Sequence, residues 1–246
     1  MKLEGHAYRP WLEGYFQYDL KGDFVRNLRV LVSKYEVLQF KAGLDKADYS
    51  RERVTSSGRQ QFAERSIVNR EFTIDRQEGV EVFGRLFKGT NMDAQYYLGV
   101  FTGAGRGGNN DDDDKMWMAR YAWNIFGIEM PFSSSDVEYH EKPGASLAIA
   151  AVTNRSRYTR FDTDIGGGQI DGFDDGEPGQ YRVKQLVSDL IYKYRGFSLQ
   201  GEYHWKEIDD LKNRAVTHLK GAFIQAGYFL HGWIEALPKG LELAFR

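Results

Sequence analysis

The chain has 246 residues, a formal net charge of −2 at pH 7 and no cysteine. A nearly neutral chain offers no overall field that would attract nucleic acid, and the lack of cysteine excludes disulfides and thiolate metal sites. The longest apolar run, 147–152, is far shorter than the roughly 20 residues of a membrane-spanning helix. Composition neither demands nor forbids an all-β architecture, and the length is ordinary for one large all-β domain.

Strands are predicted wherever apolar and polar residues alternate with period two. In chain order, the predicted strands are 11–20, 26–33, 38–45, 80–86, 92–101, 116–125, 145–152, 182–195, 197–206, 216–230 and a last one beginning at 240. No stretch shows a helical period. The pattern predicts an antiparallel sheet in which consecutive strands are neighbours.

The strands 116–125 and 197–206 alternate most regularly. Each carries aromatic and aliphatic side chains on one face and polar side chains on the other. Because only the outward half of a transmembrane barrel strand must be apolar, we expect the apolar faces to point outward. The outward set is Phe197, Leu199, Tyr203, Trp205, Trp117, Tyr121 and Trp123. His204 and His218 are both predicted on the polar face.

The predicted connections differ in length. Long polar connections occur at 46–76, 103–114, 131–143 and 154–181, whereas short turns occur at 21–23 and 195–196. Barrels of the outer-membrane type have short turns at one rim and long loops at the other, and we expect the same arrangement here. The 46–76 segment carries apolar residues such as Phe62 and Phe72, so we expect it to fold back against the sheet.

Several phrases of the sequence resemble those of a known family. QFK, SRERVTSS, QFAERSIVN and DRQEGVEVFGR, between residues 39 and 85, resemble the phosphate-selective porin O/P family of bacterial outer-membrane channels. The stretch YYLGVFTGAGRGGNNDDDDKMWMARYAWNIFG at 96–127 is similar to the same family, as are DVEYH, KYRGFSLQGEYHWKEI and QAGYFL. The resemblance extends from about residue 11 to the last residue.

This resemblance implies a porin-type, transmembrane, antiparallel up-and-down β-barrel formed by 1–246 as a single domain. In it, 46–76 would be an inward-folding constriction loop and 154–181 a long extracellular loop. The implied location is the bacterial outer membrane, in contact with its lipid and lipopolysaccharide, and the implied assembly is a homotrimer. Because such barrels close with an even strand number and GLELAFR at 240–246 reads as unfinished family sequence, we expect either an incomplete barrel lacking C-terminal strands or a shortened one.

Selectivity in a pore arises from charged side chains at its constriction, and arginine suits phosphate because its planar fork forms paired, charge-assisted hydrogen bonds. The candidate pore-lining residues are Arg51, Arg53, Arg59, Arg65, Arg70 and Arg76 in the loop, with Lys41, Arg85 and Arg120 on strands. The 46–76 segment also holds five acidic residues, so some of its arginines are ion-paired. We expect Arg51, Arg53 and Arg59 to be unpaired. Two solute ranges stay open, phosphate or polyphosphate and small anions in general.

Other functions receive less support from the sequence. No catalytic constellation is present, so we expect no enzymatic activity. Gly103, Gly105 and Gly108 match a dinucleotide fingerprint, but the acidic run that follows would repel a pyrophosphate, and no cofactor is expected. The acidic loop 162–177 holds oxygen ligands without the EF-hand spacing. The alternative to a porin is a soluble, secreted β-rich module that binds a glycan or another polymer, with its aromatic residues gathered in one groove.

Overall fold

The computed structural model describes residues 1–106, 110, 113–161 and 167–246. Twelve strands form one sheet in which each strand pairs antiparallel with its neighbour in chain order. The strands are β1 Lys2–His6, β2 Leu12–Asp19, β3 Phe24–Tyr35, β4 Leu38–Lys46, β5 Arg76–Leu86, β6 Ala94–Phe101, β7 Met116–Asn124, β8 Gly144–Ser156, β9 Tyr181–Tyr194, β10 Phe197–Asp210, β11 Ala215–Phe229 and β12 Glu242–Phe245. The predicted all-β, up-and-down architecture is confirmed, with β1 added to the strands expected from the sequence.

The two faces of the sheet are inverted relative to an ordinary soluble protein. Along β10 the polar side chains are the buried ones, and they are Ser198, Gln200, Glu202, His204 and Lys206. Large apolar side chains of neighbouring strands are exposed on the opposite face, including Leu98, Trp117 and Ile149. We call the face with the buried polar side chains the covered face and the other the open face.

The predicted outward set lies on the open face. Tyr203, Trp117, Tyr121 and Trp123 are exposed, while Phe197, Leu199 and Trp205 are partly exposed between their neighbours. This prediction is confirmed because period two holds without interruption along β7 and β10. The prediction for His218 is wrong. His218 pairs with Glu207 on the open face and is exposed.

The connection 47–75 lies against the covered face. It contains two short helices, α1 Arg51–Val54 and α2 Asn69–Phe72. The Ser50 hydroxyl begins α1 by accepting a hydrogen bond from the Arg53 backbone N–H at 3.3 Å. Apolar residues at each end of the connection, Tyr49 and Ile74, join a buried cluster with Phe161, Ile208 and Val183. This cluster fixes both ends of the connection to the sheet.

The connection 125–143 reaches the covered face from the opposite edge and meets the first one. The Ser134 backbone N–H donates to the Arg59 carbonyl at 3.0 Å, and the Arg51 guanidinium donates to the Pro131 carbonyl at 3.0 Å. The expected separation of short turns and long loops to opposite rims is therefore wrong. The turns at 20–23 and 195–196 also lie on opposite edges, since β2 and β9 run in opposite directions.

The sheet has two free edges. Within the described residues β1 pairs only with β2, and β12 pairs only with β11, so the sheet is not closed. Among those same residues, no helix is both long and apolar enough to cross a membrane.

A candidate anion-binding cluster on the covered face

Two of the candidate cations share one buried carboxylate. The Arg51 Nε lies 3.2 Å from Asp189 Oδ1, and the Arg120 Nη1 lies 2.6 Å from Asp189 Oδ2. The Phe132 ring lies 5.0 Å from the Arg51 guanidinium carbon. Burial lowers the pKa of Arg51 from its ordinary value, and Asp189 opposes this effect. Arg51 therefore anchors the connection 47–75 to β9 rather than facing open solvent.

Lys41 is also neutralised by carboxylates. Its Nζ lies 2.6 Å from Asp48 and 3.1 Å from Glu81. Although burial raises the pKa of Asp48, the adjacent Lys41 holds it below its ordinary value. Both carboxylates lie within direct contact distance of one ammonium group. Lys41 lies on the covered face as predicted, but it adds no net positive charge there.

Arg85 is surrounded by acidic residues at the edge where β5 ends. It contacts Asp93 at 2.6 Å, Glu129 at 2.8 Å and Glu36 at 3.8 Å. With Lys41 and Arg120 also ion-paired, the three strand cations do not form the continuous positive path that the sequence suggested.

Four cations lie close together at the edge of the sheet where β4 ends and β5 begins. Together they carry more charge than the one carboxylate that contacts them. We call Lys46, Arg53, Arg65 and Arg76, together with Asp75, the Asp75 cluster. Arg53 forms an ion pair with Asp75, and Arg76 contacts it at 3.1 Å. Burial raises the pKa of Asp75, but Arg53 and Arg76 together keep it below its ordinary value. Asp75 is thus ionised and neutralises only part of the cluster.

Lys46 and Arg65 donate to backbone carbonyls instead of carboxylates. The Lys46 Nζ bonds the carbonyls of Arg53 and Val54 at 2.8 and 3.3 Å. Arg65 donates to the carbonyls of Glu52 and Thr55 at 3.3 and 3.0 Å. Burial and the positive charge of Arg53 lower the pKa of Arg65. Within the described residues neither cation has an ion pair, so the cluster carries an excess of positive charge.

The remaining loop arginines are on the surface. Arg59 and Arg70 are exposed, and Arg70 lies 3.8 Å from Glu71. The expectation that Arg51, Arg53 and Arg59 are unpaired is wrong for the first two. Of these three arginines, Arg59 alone has no ion pair in the part of the chain that the structure describes. Neither Lys46 nor Asp189 is among the site residues predicted from the sequence, although Asp189 is the single acid on the covered face of β9.

A second polar network holds α1 to β10. The Glu52 backbone N–H donates to Glu202 Oε1 at 2.6 Å, and His204 Nε2 lies 3.0 Å from Glu202 Oε2. The Glu52 carboxylate accepts hydrogen bonds from the Ser66 backbone N–H and hydroxyl, each at 2.7 Å. Burial raises the pKa of Glu52 above its ordinary value despite these bonds.

The raised pKa of Glu52 predicts a pH effect on stability. The unfolded chain ionises this group near the ordinary glutamate pKa of about 4.3, whereas the folded chain retains the proton to higher pH. The protonated Glu52 carboxyl therefore contributes fully to the free energy of unfolding below about pH 4. This contribution is lost as the pH rises through the pKa that Glu52 has in the folded chain. As the pH rises through this window, the midpoint temperature of thermal unfolding should fall less for Glu52→Gln than for the native chain. Equal slopes for the two proteins would contradict the assignment.

The covered face also carries two buried side-chain amides. Gln185 and Gln200 are each 1% exposed, and neither side-chain amide has a hydrogen-bond partner among the described residues. Buried polar groups of this kind are ordinarily satisfied by water. The amides of Gln185 and Gln200 therefore call for polar partners, such as water, on the covered face.

Two minor expectations concern residues only partly described. Gly108 of the glycine-rich stretch and residues 162–166 of the acidic loop lie outside the described residues. Among the residues that are described, no group of His, Cys, Asp and Glu is placed to hold a metal ion.

The structure is an all-β chain whose covered face is polar and whose positive excess is confined to the Asp75 cluster at one edge. In comparisons with known proteins, no family model and no curated sequence matches this chain.

Proposed function

We propose that the chain forms an outer-membrane β-barrel pore through which small anions, including phosphate-like ions, diffuse passively. The observation that carries the proposal is the inversion of the sheet, with polar side chains buried and apolar side chains exposed. A soluble monomer rarely exposes a contiguous apolar surface of more than a few hundred Å². On a membrane barrel, the lipid-facing side is apolar and the interior is polar.

The positions of the open-face aromatic residues support the same proposal. Phe197 and Trp205 lie about 26 Å apart along β10 at about 3.3 Å per residue, which corresponds to about 20 Å of membrane depth for a strand tilted by about 40°. Outer-membrane barrels place aromatic girdles at the two boundaries of an apolar band about 25 Å tall. The soluble polymer-binding alternative would gather its aromatic residues in one groove. Open-face aromatic residues instead occur in several rows, from Phe197 at one end of β10 through Tyr121 and Tyr203 in a middle row to Trp205. This spread along the strands supports the porin over that alternative.

The Asp75 cluster supplies the anion preference in this proposal. Two unit charges about 4 Å apart interact by about 4 kcal/mol at an effective dielectric of 20, compared with about 1 kcal/mol in water. A few uncompensated cations on a partly buried wall can therefore outweigh the near-zero net charge of the chain. Arginine retains its proton and offers a fork that matches phosphate oxygens. The connection 47–75 acts as the constriction loop in this proposal.

The resemblance to the phosphate-selective porin O/P family agrees with this reading. It contributes the bacterial outer membrane as location and a homotrimer as assembly. No enzymatic step is part of the proposal.

Planar-bilayer recordings test the anion preference directly. Lys46→Gln combined with Arg65→Gln removes two cations that have no carboxylate partner, so no buried acid is left unpaired. The double variant should shift the reversal potential in a chloride gradient toward cation permeability and should weaken block of chloride current by phosphate.

The matched control removes two exposed cations of the same connection, Arg59→Gln with Arg70→Gln. We expect this control to keep the permeability ratio and the phosphate block. If the Lys46 and Arg65 variant also keeps both, the Asp75 cluster does not select anions. A native chain without channel activity would refute the pore itself.

A further inference from the structure

A groove of about 780 Å³ crosses the open face from β5 to β10. Its floor contains Ala119 and Ala151, which pair directly across β7 and β8. Leu98 and Leu186 follow them on either side in the same row. Because two methyl side chains lie between two larger ones, the surface is lowered within this row, between Leu98 and Leu186. A volume in the range of about 300–1,000 Å³ accommodates a small-molecule ligand, so the groove is suited to a lipid with few chains.

Three cations lie on the open face beyond one end of this groove. Arg155 and Arg182 are direct partners across β8 and β9, and Lys184 pairs with Thr153 in the neighbouring row. All three side chains are exposed. Like charges placed directly opposite each other on one face of a sheet are destabilising. An anion between Arg155 and Arg182 would relieve this repulsion.

Acidic neighbours compensate these cations only weakly. Arg155 lies 3.2 Å from Asp114, with the two side chains 45% and 48% exposed. Lys184 lies 2.8 Å from Glu207, and Asp209 is the partner of Arg182 across β9 and β10. Solvent screens exposed pairs of this kind, so they contribute little to stability. A phosphate group can therefore replace the carboxylates as a partner at little cost.

The distance between the floor of the groove and the three cations matches the distance between the acyl chains and the charged headgroup of one amphiphilic molecule. Ala151 and Arg155 are separated by about 13 Å along β8 at about 3.3 Å per residue. Both Trp117 and Trp205 line the groove, Trp117 in the row between these levels and Trp205 in the row of Ala151. Tryptophan is enriched at membrane–water boundaries. We infer that the open face binds one anionic glycerophospholipid, with its acyl chains over Ala119 and Ala151 and its phosphate at Arg155, Arg182 and Lys184. This inference rests on the proposed membrane location but not on anion selectivity.

Native mass spectrometry of the full chain in detergent tests the site. The chain is mixed with equal amounts of phosphatidylglycerol and phosphatidylcholine, and retained lipid is counted. Phosphatidylglycerol should be retained preferentially at one molecule per chain. Arg155→Gln with Arg182→Gln should weaken its binding by about 25-fold, since a basic residue near lipid phosphate contributes about 1 kcal/mol. Ala151→Leu, which fills the floor, should weaken retention of both lipids.

The matched control, Lys88→Gln with Lys142→Gln, removes two exposed cations at the opposite edge of the sheet and should retain the preference. Equal retention of the two lipids by the native chain would overturn the inference, as would an unchanged preference in the Arg155 and Arg182 variant. In a second mixture that contains equal amounts of phosphatidylglycerol and lipid A, preferential retention of lipid A would assign the groove to a multi-chain lipid and would also overturn the inference. Channel recordings on the same preparation separate the two proposals. A conducting chain without lipid preference refutes only the lipid site, and a chain that does not insert refutes both.

Discussion

Asp189→Asn should destabilise the fold by about 3–5 kcal/mol, the cost of breaking a buried ion pair by removing one partner. The carboxylate is 1% exposed and contacts both Arg51 and Arg120. Asparagine keeps the shape of the side chain, so the loss reports on charge rather than on packing. Equilibrium unfolding by urea in lipid vesicles, followed by tryptophan fluorescence, measures the change.

Two further variants make the result specific. Asp209→Asn is the same substitution on the open face of β10 and should change stability by less than about 0.5 kcal/mol. Adding Arg51→Gln to Asp189→Asn should recover part of the loss, because one of the two uncompensated guanidinium groups is removed. The double-mutant cycle should therefore show coupling of about 0.5–3 kcal/mol. If Asp189→Asn lowers the free energy of unfolding no more than Asp209→Asn does, the contact of Asp189 with Arg51 and Arg120 does not hold the connection 47–75 to the sheet.

The faces of β7 and β10 could be predicted from the sequence because a period-two pattern depends only on local backbone geometry. The same reasoning fails at β11. There the predicted face of His218 is wrong, although the β10–β11 register is continuous from Ala215 to Tyr228. The pattern changes because Phe223 and Leu219 lie on the covered face beneath the connection 47–75, where apolar packing replaces the polar lining. Tertiary contact, rather than strand geometry, decides which side chains are favoured at those positions.

The ion pairs of the candidate site could not be predicted for a related reason. The contact between Arg51 and Asp189 joins residues separated by 138 positions, and its formation depends on where the connection 47–75 meets β9. The local sequence suggested instead that neither Arg51 nor Arg53 forms an ion pair with the neighbouring Glu52. That residue turns its carboxylate to Ser66, while Asp75 returns to Arg53 at the end of the connection. The abundance of arginine was visible in the sequence, but the pairing that leaves Lys46 and Arg65 uncompensated was not.

Ile149→Arg should destabilise the chain in lipid vesicles by about 2–4 kcal/mol, the cost of arginine near the midplane on the lipid face of a barrel. Ile149 is 58% exposed on the open face near the middle of β8, between Tyr121 and Ser188 in its row. If that face met water, an exposed isoleucine could be replaced with a change within about 0.5 kcal/mol. The substitution therefore distinguishes a lipid-facing sheet from a soluble one by the size of a single measured free energy.

Ile67→Arg is the matched control, because Ile67 is 92% exposed in the connection 47–75 and does not belong to the sheet. Its free energy of unfolding should stay within about 0.5 kcal/mol of the native value, whatever covers the open face. A large loss at Ile149 with none at Ile67 assigns lipid to the open face independently of any conductance measurement. Equal, small effects at both positions would mean that the exposed apolar rows face water. The pore and the phospholipid site would then both be excluded, leaving the soluble polymer-binding module as the surviving alternative.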